Sequence, residues 1–115
     1  MATDCLFCKM ISGVIKPATV HEDDDVLAFK DINPQAPVHV LVISKRHIAT
    51  LNDLKPADAA LVGKLVLAAG KIARELGVAD SGYRTVMNCN ADAGQSVWHV
   101  HLHLLGGRVM RWPPG

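Results

Sequence analysis

His99-Val100-His101-Leu102-His103-Leu104-Leu105 sets three imidazoles in strict alternation with apolar residues. An extended strand sends successive side chains to opposite faces, so this spacing predicts a strand with the three histidines on one face and Val100, Leu102 and Leu104 on the other. One face reads as core and the other as chemistry. Histidine titrates nearest to physiological pH and serves as nucleophile, general acid or base, or metal ligand. Three of them about 6.5 to 7 Å apart on one rigid element make a candidate site.

Working outward, Cys5 to Ile15 reads as a short helix ending near Gly13. Residues 19–22 and 26–30 read as a hairpin around Asp23-Asp24-Asp25, and Val38 to Ile43 as a central strand rich in valine. The prolines of Asp31-Ile32-Asn33-Pro34-Gln35-Ala36-Pro37 turn that segment into a loop. A long helix is predicted from Pro56 to Leu76, with Gly77 as its stop. Leu61, Leu65, Ala68, Ile72 and Leu76 form one apolar stripe, and Val62, Val66, Ala69 and Ala73 form a second beside it. One sheet face cannot cover both, so the helix is expected to meet a second subunit as well, with Gly63 and Gly70 allowing close approach; a monomer with one wide core stripe is the alternative. A strand follows at Tyr83 to Asn88, then a small-residue loop from Asn90 to Ser96 that is either a plain connector or a phosphate cradle. Strands without regular helical crossovers indicate an α+β fold with a mostly antiparallel sheet.

The chain has 115 residues, half of them hydrophobic, which suits one domain over residues 1–115. A formal net charge of +1 with scattered charges gives no footprint for nucleic acid or an anionic membrane, so no partner of either kind is expected. Met1-Ala2-Thr3-Asp4 lacks a basic region followed by an apolar stretch, and no run is long enough to span a bilayer, so a cytoplasmic location is expected. Thiols stay reduced there, and Cys5, Cys8 and Cys89 read as ligands, packing groups or reactive groups before disulfides. No P-loop and no G-x-G-x-x-G after a strand is present.

His99-Val100-His101-Leu102-His103-Leu104-Leu105 carries the His-φ-His-φ-His-φ-φ signature, φ being apolar, and so resembles the histidine triad, or HIT, family. The resemblance runs through residues 31–43, Gly94-Gln95-Ser96-Val97 and the closing Leu105-Gly106-Gly107-Arg108 and Trp112-Pro113-Pro114-Gly115, and looks closest to the Hint branch of histidine triad nucleotide-binding proteins. It implies a five-stranded sheet with one long helix and a short N-terminal helix, a homodimer whose two sheets join, and hydrolysis at the α-phosphorus of a purine nucleotide conjugate such as an adenosine phosphoramidate. In that reading His101 is the nucleophile, forming a nucleotidyl-histidine that water hydrolyses. His103 binds a phosphate oxygen or protonates the leaving amine, Ser96 sits by the leaving group, and His39 orients the triad. Backbone N–H groups of Gly94, Gln95, Ser96 and Val97 neutralise phosphoryl charge. Asp31 binds the ribose hydroxyls, Asn88 sits by ribose and phosphate, and Ile32, Phe29 and Val97 border the base. The chemical step needs no metal.

Cys5-Leu6-Phe7-Cys8 has the gap by which one turn brings two thiolates to a tetrahedral zinc, and redox or buried unligated thiols are its alternatives. Some bacterial members of the family carry such a structural zinc site, and the resemblance supplies His47 and His99 as the other two ligands. Ser44, Ala93 and Trp98 stand where relatives often have proline, glycine and tyrosine. Two functions of other classes remain: a nucleotide-binding regulatory protein whose hydrolysis is slow or incidental, and a metalloprotein whose alternate histidines hold a catalytic ion.

Overall fold

A computed structural model describes residues 4–115 of the chain. The elements run α1 (Leu6–Ile11), β1 (Thr19–Glu22), β2 (Val26–Lys30), β3 (Val38–Ser44), α2 (Ala59–Glu75), β4 (Tyr83–Val86) and β5 (His101–Gly106). The sheet has five strands in the order β1-β2-β3-β5-β4, and every pairing is antiparallel. β3 and β5 sit at its centre, with Ile43 opposite His101 and Leu41 opposite His103.

Alternation divides the sheet into two unlike faces. Val26, Ala28, Val40, Val42, Leu102 and Leu104 point to one side, where Leu65, Ala68, Ala69, Ile72 and Ala73 of α2 cover them. Each fully buried Val, Leu or Ile contributes roughly 1.5–3 kcal/mol, so this layer is the main source of stability. On the other side Leu27, Phe29, Leu41 and Ile43 pack around Phe7 of α1, and His101 and His103 continue the same rows. The histidine face is thus part core as well.

Several boundaries differ from the sequence expectation. Residues 56–58 form a 3₁₀ turn ahead of α2, held by Asp58, which accepts the Lys55 N–H at 2.8 Å and pairs with Arg46. The α-helix proper ends at Glu75, and Gly77 follows at a positive φ of 75°, where a Cβ would be strained. The buried stripe of α2 takes members from both expected stripes, leaving Val66 and Leu67 at 53% and 75% exposure. β4 stops at Val86 instead of Asn88. Most consequential, β5 starts at His101: His99 lies in a bend before it, so it does not share the strand's histidine face. Among the described residues, no helix is long and apolar enough to cross a membrane.

Candidate active site

The bend at His99 separates the histidines into two groups. Nε2 of His99 lies 2.6 Å from the Ser44 carbonyl, which can only accept, so Nε2 holds the proton and Nδ1 presents a lone pair. That lone pair faces Cys5 Sγ at 3.4 Å, Cys8 Sγ at 3.6 Å and His47 Nδ1 at 3.2 Å. Cys8 Sγ lies 3.3 Å from His47 Nδ1, and all four donor atoms fall within 4.8 Å of one another. Ligands about 2.0–2.3 Å from a tetrahedral zinc stand about 3.3–3.8 Å apart, so the spacing and the Cys2His2 donor set both fit Zn²⁺. Burial and the neighbouring Cys5 push the Cys8 thiol up to about 11, so a cation is what would favour its thiolate form. Ser44 shapes this end: its hydroxyl donates to the Arg46 carbonyl at 2.8 Å, fixing the turn that presents His47.

The second group is built on adjacent strands. His101 Nδ1 lies 2.7 Å from the His99 carbonyl and must donate to it, which leaves Nε2 as the unprotonated nitrogen. His39 Nδ1 accepts the Gln35 N–H at 3.0 Å, so its Nε2 carries the proton. That proton points at His103 Nδ1, 2.9 Å away, with Asp31 Oδ2 at 3.4 Å. His103 Nδ1 therefore accepts, and its Nε2–H is a donor. The result is a row of fixed tautomers: one bare nitrogen on His101 beside one N–H on His103, with ring centroids 5.0 Å apart.

Desolvation sets the protonation of this row. It holds His101, His39 and His99 below the ordinary imidazole value, and it pushes His103 down to about 4 with help from its His101 and His39 neighbours. All four are neutral at pH 7. A neutral imidazole is what a nucleophile or a ligand requires.

His101 and His103 open onto a cleft of about 400 Å³, within the range of small-molecule sites. Phe29, Asp31, Ile32, Ser96 and Val97 line it, as do Leu6, Phe7 and Met10 of α1. Ile32 is almost fully exposed at 99%, an apolar side chain with room for a flat partner. His39 stands behind His103, and Asn88, Gly94 and Gln95 are outside the lining. In the loop after β4, the N–H groups of Gly94 and Gln95 bond Ala91 O and Asn90 O at 3.0 and 3.1 Å, which leaves those of Ser96 and Val97 for a ligand. The Gln95 side chain is also committed, accepting from Asn90 N–H and donating to Ala49 and Val97 carbonyls. Gly94 has a φ of 81°, so the sharp turn into Gln95 suits glycine. Sequence reasoning did not include α1 in the cleft, because nothing in Leu6, Phe7 or Met10 distinguishes a pocket wall from ordinary core.

The chain is similar to known proteins along most of its length. A model of the HIT domain matches residues 12–110. A purine nucleoside phosphoramidase of Escherichia coli K12 is 45% identical over 110 residues, covering 96% of this chain and 92% of that one. A HIT family hydrolase from Legionella pneumophila superposes with a TM-score of 0.95 at 52% identity, over 96% of this chain and 99% of that chain. A Zn-bound histidine triad protein from Mycobacterium smegmatis superposes with a TM-score of 0.80 at 32% identity, over 94% and 78%. With this fold, this histidine row and these relatives, the chain belongs to the HIT family.

Proposed function

We propose that the protein is a hydrolase of the Hint branch that cleaves the P–N bond of purine nucleoside phosphoramidates through a covalent nucleotidyl-histidine. The observation that carries the reading is the His101 tautomer. Its Nδ1–H donates to the His99 carbonyl, so the bare Nε2 is the ring's nucleophilic atom. In the first step the bare Nε2 attacks the α-phosphorus as the P–N bond breaks; the neutral His103 donates its Nε2–H as a hydrogen bond to a phosphoryl oxygen, and the departing nitrogen takes its proton from solvent in the cleft. In the second, water attacks the same phosphorus, releases a proton to solvent and displaces His101 Nε2, yielding the nucleoside monophosphate. Splitting the displacement in two lowers each barrier.

The remaining residues serve that path. His39 holds the His103 tautomer, Ser96 lies near the leaving group, and the Ser96 and Val97 N–H groups face the phosphoryl oxygens. Asp31 binds the ribose hydroxyls, with Phe29, Ile32 and Val97 bordering the base. Asn88 sits by the ribose and phosphate, and Gly94 and Gln95 belong to the loop that carries the Ser96 and Val97 N–H groups to the phosphoryl oxygens. No metal enters the step. Zn²⁺ on Cys5, Cys8, His47 and His99 is structural, its four places all filled by protein. That a Mycobacterium smegmatis histidine triad protein of this fold is Zn-bound supports a zinc site of some kind in such a chain. Three free cysteines suit a reducing compartment, and we place the protein in the cytoplasm. It works as a homodimer, one HIT domain per chain, which would cover the exposed Val66 and Leu67 of α2. Sedimentation of a dilution series is expected to show a dimer; monomer alone refutes that part.

Intact-protein mass spectrometry after a brief pulse of adenosine phosphoramidate tests the mechanism. The wild type is expected to gain the mass of one adenylyl group, and His101→Ala to gain nothing. An adduct on His101→Ala assigns the nucleophile elsewhere.

A further inference from the structure

Phe7 lies between Cys5 and Cys8 on a helix of six residues, too short to hold its shape unaided. Cys5 is also the cap of that helix, its sulfur accepting the Cys8 N–H at 3.4 Å. The Phe7 ring is 2% exposed and meets three neighbours edge-on: His99 at 5.8 Å, His101 at 5.1 Å and Phe29 at 5.5 Å between centroids. One of these belongs to the Cys/His cluster, one is the proposed nucleophile, and one borders the cleft. Phe7 itself lines that cleft together with Leu6 and Met10 of the same helix.

We infer that the metal cluster and the nucleotide cleft are coupled through Phe7, so that metal binding and nucleotide binding strengthen each other. A bound Zn²⁺ would pin both thiolates and thereby seat α1 as the cleft wall. It would also fix His99, whose carbonyl holds the His101 proton. Without a cation, only contacts of 3.2 to 3.6 Å among the four donor atoms tie α1 to His47 and His99, so Phe7 and the wall would be held less firmly than by ligation of both thiolates. Linkage is reciprocal, so a nucleotide that presses Phe7 into place raises metal affinity by the same factor by which metal raises nucleotide affinity. Phe7 is a positioning residue in this scheme; it acts through His101 and α1. The inference rests on the two site readings above, and the following test separates their failure from its own.

Co²⁺ is loaded in place of Zn²⁺, because its d–d and thiolate charge-transfer bands report the cluster directly, and adenosine 5′-monophosphate is titrated in. The expected result is a shift of the d–d bands on nucleotide binding and a Co²⁺ affinity about tenfold higher with nucleotide than without, a usual size for coupled sites. Phe7→Ala is expected to keep the tetrahedral cobalt spectrum while the coupling factor falls toward one, and Phe7→Leu to recover part of it. Should Phe7→Ala fail to fold by circular dichroism, Phe7→Leu carries the comparison, with a factor between one and that of the wild type. Nucleotide binding that leaves cobalt spectrum and affinity unchanged overturns the inference and spares the nucleotide reading. Full coupling in a folded Phe7 variant overturns the role of that residue. Failure of the wild type to bind Co²⁺ sinks the metal reading, and failure to bind the nucleotide sinks the nucleotide reading; either takes the inference with it.

Discussion

His99 and His101 are two residues apart, both buried and neutral, yet they face opposite tasks. His99 gives its Nε2 proton to a carbonyl at the end of β3 and aims Nδ1 at sulfur; His101 gives its Nδ1 proton to the His99 carbonyl and keeps Nε2 bare beside the cleft. The difference teaches that one backbone acceptor, by choosing which ring nitrogen keeps its proton, decides whether a histidine reads as ligand or nucleophile. The bend before β5 is what makes the choice, since a strand begun at His99 would have put both rings on one face.

The widest separation between the two comes from removing each in turn. His101→Ala is expected to lower turnover of an adenosine phosphoramidate by about 10⁴-fold or more while nucleotide affinity stays near that of the wild type, the pattern of a lost nucleophile. A small loss of turnover would favour a nucleotide-binding regulator. His39→Ala is milder: freeing the His103 tautomer is expected to reduce kcat about 10- to 100-fold, with little change in KM. On the other side of the comparison, chelating the metal is expected to lower Tm by about 10 °C or more, since each 1 kcal/mol moves Tm by about 4–8 °C in a domain near this size. An unchanged Tm would show that the cluster holds no structural ion. Leu102→Ala, on the α2 face, is expected to cost about 2–5 kcal/mol in urea unfolding and to leave the catalytic pH profile unmoved.

pH supplies the finest discrimination. The folded values of His39, His101 and His103 all lie below that of a free imidazole, desolvation being the largest cause and His103 reaching about 4. The unfolded chain takes up protons near about pH 6.5 and the folded one only further down, so the stability from these groups is complete above about pH 6.5 and is lost as pH falls toward 4. Thermal unfolding between neutral and mildly acid pH should therefore show Tm falling as pH drops. Activity should persist below the titration point of a free imidazole, since the three rings are still neutral there.

Much of this was legible from sequence because it follows from periodicity. The alternation from His99 onward marked the central strand and its core face, Val38 to Ile43 marked its partner, and two cysteines three residues apart marked a candidate ligand pair. What escaped depended on tertiary geometry. The bend at His99 is set by bonds to Ser44 and Ile48, residues about fifty positions away, and alternation alone cannot show where a strand starts. The stripe of α2 that would be buried was ambiguous because both candidates were apolar. α1 as a cleft wall was invisible, since Phe7 meets Phe29, His99 and His101, residues far from it in sequence, only in the folded chain.

The most direct measurement of the central claim is the stereochemical outcome at phosphorus, using a nucleoside phosphoramidate made chiral at the α-phosphorus with sulfur and isotopic oxygen. Two successive in-line displacements, the first by His101, predict net retention of configuration. Inversion would mean that water attacks the substrate directly, and the covalent histidine would then have no place in the reaction.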